Sequence, residues 1–127
     1  MQKILRVVML FLIASFLFAC ANQKDPVVLN KNLENTKISS PLVIEGEATG
    51  TWFFEASFPI KLIDENGSIV SSCTAQATED WMTEDYVSFK AEMTFQTGPG
   101  KGKLRFEKDN VSDDPKNDAS FEIPVSW

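Results

Sequence analysis

Gly46-Glu47-Ala48-Thr49-Gly50-Thr51-Trp52-Phe53-Phe54-Glu55-Ala56-Ser57-Phe58-Pro59-Ile60-Lys61-Leu62-Ile63-Asp64-Glu65-Asn66-Gly67 is the stretch whose reading decides the fold. Phe54, Ala56, Phe58, Ile60 and Leu62 recur at every second position. That period places apolar side chains on one face of a strand. Asn66-Gly67 closes the stretch, and both residues tolerate positive φ, so a two-residue hairpin is predicted with Ser68–Ala77 folding back antiparallel. The remaining chain must cover the apolar face of that hairpin.

Working outward, the alternation repeats. Leu42, Ile44 and Ala48 alternate with Val43, Glu45 and Glu47, and Gly46 interrupts the inward series, which predicts a bulge or a close backbone approach. Pro59 lacks a ladder donor and predicts a locally unpaired or edge position. Ile69, Ser71, Cys73, Ala75 and Ala77 share one face of the return strand. Val87, Phe89, Ala91, Met93 and Phe95 give the cleanest strand pattern. Leu104 and Phe106 mark a short strand after the turn Gly98–Gly102, and Ala119, Phe121, Ile123, Val125 and Trp127 mark a last one after the polar turn Asp109–Asp118. About six strands with frequent turn signals and no helix predict an all-β antiparallel sandwich.

The first part of the chain reads differently. Lys3 and Arg6 precede the apolar run Val7–Phe18, which is too short to cross a bilayer that takes about 20 residues; residues 1–19 are predicted to be an export signal. Leu17-Phe18-Ala19-Cys20 resembles the bacterial lipobox. The resemblance implies cleavage after Ala19, lipidation of Cys20, and attachment to a membrane through the N-terminal acyl group. Where a cell has two membranes, Ala21 in the second mature position implies the outer one. Residues 20–37 are predicted to be the lipidated N-terminus and a flexible tether, and residues 38–127 the folded domain.

Composition narrows the functions. Twelve Lys and Arg stand against eighteen Asp and Glu, and two of the cations lie in the leader. Phosphate backbones would repel such a chain, so nucleic acid is not an expected partner. Without histidine there is no Ser-His-Asp or Cys-His nucleophile pair and no His-ligated zinc. Paired carboxylates remain available for acid-base chemistry, yet nearly all carboxylates fall on polar faces or in turns. No catalytic residue, cofactor or metal is expected, and the chain is read as a non-enzyme.

Ser40–Ala48, Phe54–Ala56, Asp64–Gly67 and Phe121–Val125 together resemble the immunoglobulin-like domain of bacterial spore germination, over roughly Ile38–Trp127. The resemblance implies a sandwich of about seven strands, exported, often lipid-anchored and without catalytic residues. It leaves the envelope partner unnamed. Cys73, the thiol remaining once Cys20 is acylated, shares a register with Ala75 and Ala77 and is expected to be a small core residue. Trp52, Trp81 and Tyr86 are candidate partner contacts, because loop aromatics on a rigid sandwich serve as anchors. An alternative function is ligand binding, of a glycan on those aromatics or of Ca²⁺ at the acidic loops; the run 109–118 offers oxygen ligands without the EF-hand spacing.

Overall fold

The computed structural model describes residues 24–96 and 98–127. The export signal and Cys20 lie outside the described residues. Eight strands follow in chain order: β1 Val27–Leu29, β2 Thr36–Lys37, β3 Leu42–Thr49, β4 Ser57–Asp64, β5 Ile69–Ala77, β6 Tyr86–Met93, β7 Lys101–Glu107 and β8 Ser120–Ser126. They pair in the order β1-β3-β6-β5-β4-β7-β8-β2, antiparallel except for the short β2–β8 pairing. The sheet curls into an immunoglobulin-like sandwich. β5 joins the two layers: it pairs with β4 along its length but with β6 only at Gln76 and Ala77.

Alternation decides which side chains enter. Ile44 and Ala48 from β3 and Val87, Phe89, Ala91 and Met93 from β6 meet Phe58, Ile60 and Leu62 from β4 and Leu104 and Phe106 from β7, all buried. A run of edge-to-face rings crosses the interior, with Phe58 5.1 Å from both Phe53 and Phe89, and Phe89 6.4 Å from Phe106. Such pairs add about 0.5–1.5 kcal/mol each beyond the area they bury.

The long strand expected across residues 54–62 is divided. Gly50–Trp52 forms a 3-10 turn, and a two-residue hairpin follows at Phe54–Ser57, closed by Phe54 N–H donating to Ser57 O (2.9 Å) and Ser57 N–H donating to Phe54 O (3.1 Å). Its central residues, Glu55 and Ala56, take φ of 50° and 67°, the type I′ conformation. Phe54 is consequently 40% exposed rather than inward. Residues with no special tolerance for positive φ thus make the I′ turn, whereas Asn66-Gly67 does not. There the loop has three residues: Gly67 alone takes positive φ (80°), and Asp64 N–H donates to Ser68 O (2.9 Å). The Asp64 carboxylate supplies the reason, accepting from the N–H of Asn66 and of Ser68, each at 2.9 Å. The register shifts between Leu62 and Ile63, so both are buried while Ile69, expected inward, is 59% exposed.

Two further expectations resolve locally. A Cβ on Gly46 would lie 2.4 Å from the Val28 carbonyl oxygen, so the glycine marks the close approach of β1. Pro59 lies just beyond the β4–β7 register, which begins at Ile60↔Phe106, and no ladder donor is lost there.

The segment predicted to be a tether is partly structured, which corrects the domain boundary. β1 pairs with β3 in one layer and β2 with β8 in the other, so the chain crosses between layers inside residues 27–37. Val27, Leu33 and Ile38 are buried in the common core. A three-residue strand has little sequence signal of its own; here β3 presents the template, and Asn30 N–H donates to Glu45 O at 2.9 Å.

Candidate functional site

The residues singled out as partner contacts gather at one end of the sandwich. The Gly50–Trp52 turn packs against the connection between β5 and β6: Gly50 N–H donates to Asp85 O (2.9 Å), and a Cβ at Gly50 would fall 1.8 Å from the Thr83 carbonyl oxygen. Only glycine fits there. The contact brings Trp52 close to the loop that carries Trp81 and to Tyr86 at the start of β6.

Proximity does not make the three alike. Trp52 is 4% exposed and meets Phe58 edge-on at 6.0 Å, so it closes the end of the core and is corrected from partner contact to core residue. It stands in the 3-10 turn, whose inward side the sequence pattern cannot reveal. Trp81 is half-buried against the core. Tyr86 is half-buried, and its hydroxyl donates to the Asp25 carbonyl (2.6 Å), tying the start of the described chain to β6.

The acidic side chains of this loop are largely engaged locally. Glu79 Oε1 accepts from Ser88 N–H (2.8 Å) and Asp80 Oδ1 from Met82 N–H (3.0 Å). The run Asp109–Asp118 behaves likewise: Asn110 Nδ2 donates to Asp118 Oδ1 (2.7 Å) and Lys116 N–H to Asp114 Oδ1 (3.0 Å). Among the described residues no group of three or more Asp, Glu, His or Cys is placed to hold a metal ion.

The outer face of β4, β7 and β8 carries charges in register. Lys61 stands opposite Arg105, and Arg105 opposite Glu122. Lys61 reaches Glu107 at 2.9 Å, Lys103 pairs with Glu122, and Arg105 lies 3.8–3.9 Å from Glu122 and Glu107. These pairs are partly exposed, and each is worth about 0–1 kcal/mol. Arg105 Nε is buried without a hydrogen bond, since 3.8 Å is too long for one. A shallow cleft of about 440 Å³ beside this row is lined by Arg105, Glu107, Lys108 and Asp118. A second cleft, of about 340 Å³, is flanked by Phe95 and Trp127, whose rings meet edge to face at 6.4 Å. Sequence reasoning placed both merely as inward strand residues. Nothing in the sequence signalled that the exchange of hydrogen bonds between Gly100 and Trp127, at 2.8 and 2.9 Å, would set them together.

Cys73 is a free thiol, half-buried in β5 and packed against the core. Burial pushes its pKa from 9.0 up to about 11, which keeps it protonated and weakly nucleophilic at neutral pH.

Comparison with family models matches residues 27–115 to the immunoglobulin-like domain of bacterial spore germination. The chain belongs to that family. This immunoglobulin-like match begins at β1, in agreement with the corrected boundary, and β8 completes the sheet beyond its end. Comparisons with curated proteins and with solved structures yield no significant match.

Proposed function

We propose that this protein is a non-catalytic, lipid-anchored component of the cell envelope, whose immunoglobulin-like domain acts as an interaction or structural module. Membership of the family supports a non-catalytic module. What supports the anchored reading is Leu17-Phe18-Ala19-Cys20 after a basic and apolar leader, and the short distance in sequence from Cys20 to β1 at Val27 bounds the reach of such an anchor. At about 3.3–3.6 Å per residue, a fully extended connection reaches at most about 25 Å. Acylation at Cys20 would therefore hold the sandwich near the bilayer, not on a long tether. The acyl group confines it to two dimensions and raises the effective concentration of partners in the same envelope. Where the cell has two membranes, the outer one is the proposed site.

The ligand-binding alternative draws no support from the loops it named. Trp52 is in the core, and the Asp114 and Asp118 carboxylates of the 109–118 run accept hydrogen bonds from their own turn. Fractionation of cells expressing the native chain and a Cys20→Ser variant tests the anchored reading. Native protein in the membrane fraction with the variant released supports it. Equal release of both overturns it.

A further inference from the structure

We propose that the end of the sandwich carrying Phe54, Trp81 and Met82 lies on the lipid surface that holds Cys20, among zwitterionic headgroups. The proposal rests on the anchored reading and deepens it by giving the domain an orientation. The described chain enters at this end: the Tyr86 hydroxyl donates to Asp25 O (2.6 Å) and Thr49 N–H to Pro26 O (3.0 Å). From there β1 runs away, with Val27 opposite Ala48 and Leu29 opposite Gly46. Asp25 is five residues beyond Cys20. A connection of that length reaches at most about 18 Å, and a coil averages about 12 Å. An acyl group on Cys20 lies in the bilayer and draws this end toward it. The far end stands off by the length of β5, about 26 Å at 3.3 Å per residue.

Apolar side chains are exposed at the same end. Met82 is 77% exposed, and Phe54 and Val111, at 40% and 60%, stand on the two neighbouring connections. The carbonyls of Trp81 and Thr83 lie against Gly50, next to Thr49, so the Trp81–Thr83 tip is beside the point of chain entry. Three hydrogen bonds brace the tip: Met82 N–H donates to Asp80 Oδ1 (3.0 Å), Thr83 N–H to Trp81 O (2.9 Å) and Asp85 N–H to Thr83 Oγ1 (3.1 Å). A braced loop presents Met82 outward with most of its ordering cost already met. Exposed apolar groups rimmed by polar ones mark surfaces for proteins or membranes, and the short connection to Cys20 selects the membrane. The half-buried Trp81 supplies the amphipathic ring that favours the headgroup level.

Charge selects the headgroup. Glu79, Asp80, Glu84 and Asp85 flank the tip, and no Lys or Arg occurs between Lys61 and Lys90. A surface potential of about −30 mV disfavours each carboxylate about threefold. Phosphatidylethanolamine instead offers an ammonium group to each. Carboxylates are costly to carry into hydrocarbon, so they stop the tip at the interface and Phe54, Trp81 and Met82 dip without spanning.

Fluorescence of the chain as isolated from cells, reconstituted in vesicles of phosphatidylcholine and phosphatidylethanolamine with brominated acyl chains, tests the orientation. Two added tryptophans report, Met82→Trp at the tip and Ile69→Trp at the far end of β5. Both positions are exposed, at 77% and 59%, so folding is spared. The emission added by Met82→Trp over the parent is expected to fall at least about twofold in brominated vesicles, since interfacial side chains reach about 5–10 Å into the boundary with the acyl chains. That added by Ile69→Trp is expected to be unchanged. Replacing about a third of the lipid with phosphatidylglycerol is expected to weaken the quenching at Met82→Trp, and raising salt to restore it. An acylated chain that floats with the vesicles but is unquenched at Met82→Trp, or is quenched equally at both positions, overturns the proposal and spares the anchor. Stronger quenching in phosphatidylglycerol overturns the choice of headgroup. A chain that carries no acyl mass and does not float overturns the anchored reading itself, and this orientation with it.

Discussion

Gly46→Ala probes the join between β1 and the sandwich. The added Cβ would stand 2.4 Å from the Val28 carbonyl oxygen and 3.0 Å from Leu29 Cα, both backbone atoms with no rotamer to yield. β1 must therefore move away from β3. What is lost is the burial of Val27, 1% exposed and worth about 1.5–3 kcal/mol. Two flanking hydrogen bonds are lost as well, Asn30 N–H to Glu45 O and Thr49 N–H to Pro26 O, each worth about 1 kcal/mol net. Against this, Ala restricts the unfolded chain and returns about 0.4–1 kcal/mol. The net loss is about 3 kcal/mol, below the 5–15 kcal/mol typical of a domain, so β1 is expected to detach while the sandwich stays folded. Amide hydrogen exchange reads this residue by residue. Protection at Val28 and Asn30 is expected to fall about 100-fold, with that at Ile60 and Leu104 less affected. Unchanged protection at Asn30, or a gain of about 0.5–1 kcal/mol in urea denaturation, would refute the reasoning.

Three other outcomes follow from the same geometry. Phe58→Ala, removing a ring that touches Trp52, Phe53 and Phe89, is expected to cost about 3–5 kcal/mol in urea denaturation, and Phe58→Leu much less; equal costs would contradict the packing described. Ala56→Gly relieves a residue held at φ 67° and is expected to stabilise the domain by about 1 kcal/mol, measured by the same titration; a loss would place the turn elsewhere. Cys73 has a folded pKa of about 11 above its ordinary 9.0, so the unfolded chain releases this proton first. Its contribution is complete below pH 9 and is lost as pH rises toward 11, about 1 kcal/mol after discounting for partial exposure. The stability of the native chain is expected to fall more steeply over that range than that of Cys73→Ala, and parallel slopes would remove the assigned cause.

The all-β class and most strand positions were legible because period-2 alternation runs over much of β3, β4, β6, β7 and β8, whose residues end up paired. The failures share a physical cause. Period 2 reads residues 54–62 as continuous, yet Phe54–Ser57 is a turn made by backbone conformations that Glu55 and Ala56 do not advertise. Asn66-Gly67 advertises one turn, and the neighbouring Asp64 carboxylate selects another. β1 and β2 are too short for periodicity to register, and exist because β3 and β8 offer templates from distant sequence. The aromatic end was half legible. Trp52, Trp81 and Tyr86 do converge, but which of them the Gly50 contact would bury depends on packing that alternation cannot encode.

The most direct test of the envelope-protein account is intact mass spectrometry of the native chain recovered from cells. Loss of residues 1–19 and an added acyl mass localised to Cys20 are expected. A chain that retains residues 1–19, or an unmodified Cys20, would contradict it.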